Sequence, residues 1–208
     1  MIPAFPDRIR QIASVDFPTQ WGRFRMIGFE RDLSHGAWPR REGALALLMG
    51  DIKSKPPLVR IHSQCLTGDA LGSLRCDCGE QLRMAFAMIA REGAGILIYE
   101  QQEGRGIGLG AKLEAYELQD LGHDTVEANE GLGLKADYRD FRLPAEILRQ
   151  LGVSAVRLLS NNPSKLTALT DAGITIVERV PCEVAPDPNA LRYLKTKKDK
   201  LGQLLTLS

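Results

Sequence analysis

Three of the four cysteines in this 208-residue chain, Cys65, Cys76 and Cys78, fall in the spacing C-x10-C-x-C within a polar stretch running from His62 to Gly79. Thiolates grouped so closely are metal ligands, and zinc is the metal they suit best. A structural zinc site closes its tetrahedron with four protein ligands, whereas three leave one position for water, the arrangement of a hydrolytic centre. A purely structural site would need a fourth ligand, for which His62 is the nearest candidate and His123 the next.

Two further clusters could do chemistry. Glu103-Gly-Arg105-Gly-Ile-Gly-Leu-Gly110 is a glycine-rich turn. Its glycines fit no G-x-G-x-x-G register, and Lys112 follows Ala111 rather than glycine, so the P-loop pattern fails as well. Such a turn is either a tight connection or a place where backbone N–H groups receive phosphate. Glu103 and Arg105 favour the second use, because the guanidinium fork matches phosphate oxygens. Asp137-Tyr-Arg139-Asp140 is the other cluster, and by composition alone it is a loop of solvated charge pairs.

The elements that must carry these clusters can be outlined from periodicity. Phe24 to Glu30, Ala44 to Met49 and Leu58 to Cys65 are strand-like runs separated by polar and proline-rich turns, so Cys65 is expected to end a strand. After Gly79 the period changes: Leu82, Ala85, Phe86 and Ile89 mark an amphipathic helix that stops at Gly93. Ile96 to Tyr99 is a buried strand, and residues 109–121 are a helix whose Leu109, Leu113 and Tyr116 share a face directed at the core. Ala145 to Leu151 is a short helix and Val156 to Leu159 a strand. Asn162-Pro163-Ser164 then caps a helix through Asp171, and Gly173 releases it into a strand from Ile174 to Val180. The expectation is an α/β fold with mixed sheets, a β-rich N-terminal third and β-α-β units in the C-terminal half, forming one domain over residues 1–208.

Composition excludes several classes. A net charge of +1 argues against a nucleic-acid surface, and the basic run Lys195 to Lys200 is expected to solvate the C-terminal end. No run approaches the roughly 20 apolar residues of a membrane span, and the N-terminus lacks signal-peptide character. A cytoplasmic protein is expected, in which cysteines serve as ligands or buried thiols rather than bridges. Cys182 is expected to be a plain thiol.

Taken together, Cys65-Leu-Thr-Gly-Asp69, Ser73-Leu-Arg-Cys-Asp-Cys-Gly79, Gln102-Glu-Gly-Arg-Gly-Ile-Gly-Leu109, Asp124-Thr-Val-Glu-Ala-Asn129, Leu158-Leu-Ser-Asn-Asn-Pro163 and Ile176-Val-Glu-Arg-Val-Pro181 strongly resemble GTP cyclohydrolase II of riboflavin biosynthesis. The resemblance runs from about Trp21 to Leu205, and the length suggests the stand-alone form rather than a fusion with a dihydroxybutanone-phosphate synthase domain. It implies that GTP loses C8 of its imidazole ring as formate and its terminal phosphates as pyrophosphate. It implies one zinc ion per subunit on Cys65, Cys76 and Cys78, Mg2+ with the triphosphate, and a homodimer.

The resemblance also assigns roles. Tyr116 works near the zinc, in contrast to its place on a core face by periodicity, and its presence favours complete removal of the formyl carbon. Asp137 matches the family's proton acceptor and Arg139 its proposed nucleophile toward the α-phosphorus. Because guanidinium stays protonated to about pH 12, a clamp that neutralises phosphoryl charge is the less demanding role for Arg139. Arg60, His62, Ser63 and Gln64 on the strand before Cys65, together with Gln81, Glu103, Gly104, Arg105, Thr125, Ser160 and Lys165, are implied to contact GTP. By charge alone Lys165 is a surface helix lysine. The chain departs from the family pattern at Gln64, commonly Glu, at Gln101, commonly Arg, and at Tyr138, usually a polar residue. None of these removes a proposed ligand or catalytic group, and they leave room for an altered rate or substrate preference. Two other readings stay open: an enzyme that retains the formyl group, and a non-catalytic zinc-containing nucleotide-binding regulator.

Overall fold

A computed structural model of the protein describes residues 9–32, 41–185 and 187–206. Seven strands among these residues form one mixed sheet: β1 (Ile9–Thr19), β2 (Gly22–Asp32), β3 (Arg41–Met49), β4 (Leu58–Ser63), β5 (Gly95–Glu100), β6 (Ala155–Leu159) and β7 (Thr175–Val180). Their order is β1-β2-β3-β5-β4-β6-β7. From β1 to β5 neighbouring strands are antiparallel, and from β5 to β7 they are parallel. The mixed α/β architecture with a β-rich front is therefore present, and front and back share a single sheet.

The two halves of the sheet differ in burial for a reason visible in sequence. Nearly every residue of β4 and β5 is buried, as suits parallel strands covered on both faces and explains their unbroken apolar runs. Val59, Ile61, Ile96 and Ile98 point to one side, where they meet Leu143, Ile147, Leu148 and Leu169 from helices α5 (Arg142–Gln150) and α6 (Pro163–Asp171). Leu58 and Leu97 point to the other side, against Ala85 and Ile89 of α2 (Cys78–Glu92). Burying one such Leu or Ile contributes about 1.5–3 kcal/mol. β1, by contrast, is an exposed edge strand, and its polar residues gave no strand signal in the sequence.

Helix ends follow the expected chemistry. Gly93 closes α2 in the left-handed conformation at φ 69°. Asn162 caps α6 by accepting from the Ser164 N–H at 3.0 Å, with Pro163 in the first turn. Four elements were not anticipated or differ: a one-turn helix α1 (Leu66–Asp69), α4 (Thr125–Gly131), a longer α5, and α7 (Leu191–Leu201), which contains the basic run.

Two sequence expectations need correction. On α3 (Gly108–Asp120) Leu109 and Leu113 are exposed, and the buried residues are Lys112 and Ala115, because the inner face of this helix borders a polar cleft rather than the apolar core. The basic run does not merely solvate the C-terminus. Lys197 is an ion-pair partner of Asp77 at 3.0 Å, with both side chains largely buried, and Lys200 pairs with Asp124 and Glu127. No helix among the described residues is long and apolar enough to cross a membrane.

Candidate active site

Loops leaving the C-terminal ends of β5, β4 and β6 lie side by side because these strands are adjacent and parallel. Ligands in open α/β sheets bind at that edge. β4 delivers Ser63, Gln64 and Cys65; β5 delivers the glycine-rich turn; β6 delivers Ser160 to Asn162. Cys65 sits two residues beyond the end of β4, at the start of α1.

The three cysteine sulfurs lie within 4.8 Å of one another, and Cys65 Sγ is 3.7 Å from Cys76 Sγ. Tetrahedral zinc with Zn–S bonds of about 2.3 Å requires sulfurs about 3.8 Å apart, so the group fits the ion. Gly68 makes room for it: a Cβ there would stand 3.0 Å from Cys76 Sγ and 3.3 Å from Cys65 Sγ. The acidity of the thiols is consistent with a cation site. Hydrogen bonds from Cys76 and Cys78, aided by the Lys112 ammonium, push Cys65 far below the usual thiol range. Sharing protons with Cys65 pushes Cys76 up to about 11 and Cys78 upward as well. With Cys65 buried and Cys76 and Cys78 half-buried, a metal ion could take the place of the shared protons and let all three sulfurs ionise.

A brace fixes the loop. Asp69 accepts from the Cys65 N–H at 3.0 Å and from the Tyr99 hydroxyl at 2.9 Å, and its other oxygen lies 3.0 Å from His62 Nε2. Burial holds His62 below its ordinary pKa against the pull of Asp69. His62 thus faces Asp69, and no described histidine or carboxylate joins the cysteine group, which removes the fourth-ligand alternative among the described residues.

Tyr116 leaves the core face expected of it and lines the cleft with the three cysteines. Its hydroxyl is 3.3 Å from Thr67 Oγ1, the Arg75 guanidinium stacks on its ring at 4.9 Å, and burial raises its pKa. Glu103 accepts the Leu66 N–H at 2.6 Å and the Lys112 ammonium at 2.7 Å. Gly104 and Arg105 both adopt left-handed backbone, at φ 61° and φ 60°. For arginine this is a strained conformation of the kind kept at functional sites. The turn directs the Arg105 side chain to Thr125 Oγ1, 2.9 Å away at the start of α4.

A second cleft adjoins the first and shares Ser63, Cys78, Arg105, Arg139 and Tyr193 with it. Its own residues include Arg60, His62, Gln81, Ser160 and Lys165. Arg60 donates to Gln81 and to the Leu159 carbonyl, while its Nε and His62 Nδ1 are buried without a protein partner. Lys165 is buried, in correction of the surface placement that charge alone suggested, and donates to the Ile61 carbonyl at 2.8 Å. Burial and the nearby Arg60 push its pKa well down. Asp137 and Arg139 form a multidentate pair, with Arg139 Nε 2.9 Å from Asp137 Oδ1, in which Asp137 is exposed, as composition suggested, and Arg139 is half-buried. Burial works against both charges, yet the pairing prevails, lowering the Asp137 pKa and raising that of Arg139.

The structure thus gathers the sequence-predicted residues at one edge of the sheet. Sequence reasoning missed Asp69, Asp77, Lys112, Tyr193 and Lys197. Asp77 lies between two cysteines of the cluster, and it accepts from Gln81 and from Lys197, tying α7 to the loop.

Comparisons agree with this geometry. A family model described as GTP cyclohydrolase II matches residues 10–181. A protein from Yersinia pseudotuberculosis named GTP cyclohydrolase-2 is 56% identical over 200 residues, covering 96% of this chain and 99% of that protein. An Escherichia coli O9:H4 protein of the same name is 55% identical over 199 residues, covering 95% and 98%. Among solved structures, RibBX, a two-domain 3,4-dihydroxy-2-butanone 4-phosphate synthase from A. baumannii, matches 83% of this chain and 40% of its own length, with 21% identity and a TM-score of 0.44.

Proposed function

The chain belongs to the GTP cyclohydrolase II family, and from that premise we propose that it hydrolyses GTP to 2,5-diamino-6-(5-phosphoribosylamino)pyrimidin-4(3H)-one, formate and pyrophosphate, the first committed step of riboflavin biosynthesis. The observation that carries this reading is the junction of a three-cysteine cleft with a cation-lined cleft. One is suited to attack at guanine C8 and the other to a triphosphate.

Cys65, Cys76 and Cys78 would hold zinc, which when bound would supply Lewis acidity and activate water near neutral pH. Tyr116, tethered through Thr67, orients water or donates a proton to the leaving nitrogen as the formyl carbon departs. Glu103 and Gln64 face the same cleft and hold the base. Arg60, Arg105 and Lys165, whose described hydrogen bonds go to neutral atoms, bind phosphate oxygens, with His62, Ser63, Gln81, Thr125 and Ser160 shaping the pocket. Mg2+ accompanies the triphosphate and needs few protein ligands.

Arg139 acts as an electrostatic clamp on the α-phosphoryl group, and Asp137 orients it. The raised pKa of Arg139 supports this role over a covalent one, because a guanidinium held protonated is a poor nucleophile. The proposal extends to a cytoplasmic homodimer, in which Leu109 and Leu113, exposed and one turn apart on α3, are candidate contact residues.

Incubation of pure protein with GTP, zinc and Mg2+ should release formate and pyrophosphate in equal amounts. Absence of both would reject the enzyme, and pyrophosphate without formate would identify the variant that retains the formyl group. A metal chelator should stop formate release, and added zinc should restore it.

A further inference from the structure

Lys112 is a buried cation in the cysteine cleft to which neither motif spacing nor the family resemblance assigns a role. Its ammonium donates to Glu103 Oε1 at 2.7 Å, to Thr67 Oγ1 at 2.9 Å and to Cys65 Sγ at 3.3 Å. These three acceptors account for all three N–H groups of the ammonium. They come from two places: Glu103 from the glycine-rich turn, and Cys65 and Thr67 from the start of the one-turn helix α1. Thr67 Oγ1 passes the linkage on to the Tyr116 hydroxyl at 3.3 Å, one helical turn from Lys112 itself. Glu103 closes the ring by accepting the Leu66 N–H.

We propose that Lys112 is a positioning residue for the metal-dependent half of the reaction, holding the Cys65 sulfur in place as a ligand and fixing Thr67 and Tyr116 beside it. This rests on the reading that Cys65, Cys76 and Cys78 bind zinc. Three thiolates around a divalent cation carry one surplus negative charge in a site that is largely buried. An ammonium hydrogen-bonded to one of the sulfurs offsets that charge and orients the ligand, as outer hydrogen-bond partners do for other metal ligands. The ammonium also donates to all three acceptors from a single tetrahedral atom, which a planar guanidinium cannot match. A merely structural Lys112–Glu103 pair would predict lost stability on removal of either partner, with no specific effect on metal retention.

The test uses full-length, zinc-loaded protein. Lys112→Gln keeps a donor for Glu103 but removes the charge. In competition with a chelator, its zinc affinity should fall by about 10- to 100-fold, and kcat for formate release should fall similarly while KM stays within about threefold. Lys112→Arg restores the charge without the geometry and should recover most of the zinc affinity but not the turnover. Circular dichroism establishes that each variant is folded. Zinc affinity of folded Lys112→Gln within about twofold of wild type would overturn the proposal, whatever its turnover. Should Lys112→Gln not fold, Thr67→Val carries the test: it removes the hydroxyl that links Lys112 to Tyr116 and should lower kcat, and an unchanged kcat would overturn the proposal. Because the zinc readout needs no GTP, wild-type protein that binds zinc but releases no formate would sink the functional reading and leave Lys112 to be judged on metal affinity alone.

Discussion

The cysteine group in one cleft and the cation group in the adjoining one differ in the partners the fold gives them. In the first, three sulfurs share protons because they cannot all ionise together, and Cys76 is driven up to about 11. In the second, Arg60, Arg105 and Lys165 rely on neutral acceptors, and Arg60 Nε and His62 Nδ1 have no protein partner. Buried charge is costly unless it is paired, and on the proposed reading the first group takes a metal cation and the second takes phosphate. Ser63, Arg105 and Arg139 are common to both clefts, which on that reading brings the two chemistries to one substrate.

Removing Arg139 should separate the clefts most strongly. Arg139→Met takes away the clamp and should cut pyrophosphate release by about 10²- to 10³-fold. Zinc content, measured by metal analysis, should not change. Arg139→Lys should recover little, since a lysine cannot reproduce the forked contact with Asp137 and phosphate. A loss of zinc in Arg139→Met would break the comparison by making the clefts interdependent.

A smaller effect should sharpen it. On the proposed reading Lys165→Met removes a phosphate contact, and steady-state kinetics should give a KM for GTP raised by about tenfold, with kcat altered less. Added salt should weaken wild-type binding more than binding to this variant. A kcat loss without a KM change would place Lys165 outside the binding role.

How far the site could be read in sequence depended on how local its chemistry is. The C-x10-C-x-C spacing picks out the cysteine group because all three residues lie on one loop and the helix it enters. The capped helix after Asn162 and the strands flanking it were legible for the same reason, since caps and apolar runs are short-range signals. The inner face of α3 was not. Periodicity favoured Leu109 and Leu113, yet Lys112 and Ala115 are buried, because that face meets a polar cleft assembled from distant elements. Charge patterning misled in the same way at Lys165 and Lys197. Each looks solvated when its neighbours in sequence are counted, and each is sheltered by partners that only the fold supplies: the Ile61 carbonyl and Asp77. Edge strand β1 escaped notice because its residues face solvent and needed no apolar alternation.

The separation of metal chemistry from phosphate chemistry is tested most directly by Cys76→Ser, assayed in one reaction for formate and for pyrophosphate. Loss of a ligand should remove zinc and abolish formate release, while Asp137, Arg139 and Lys165 remain in place and continue to release pyrophosphate from GTP. Formate production by the zinc-depleted variant, or loss of both products from a folded protein, would contradict the account.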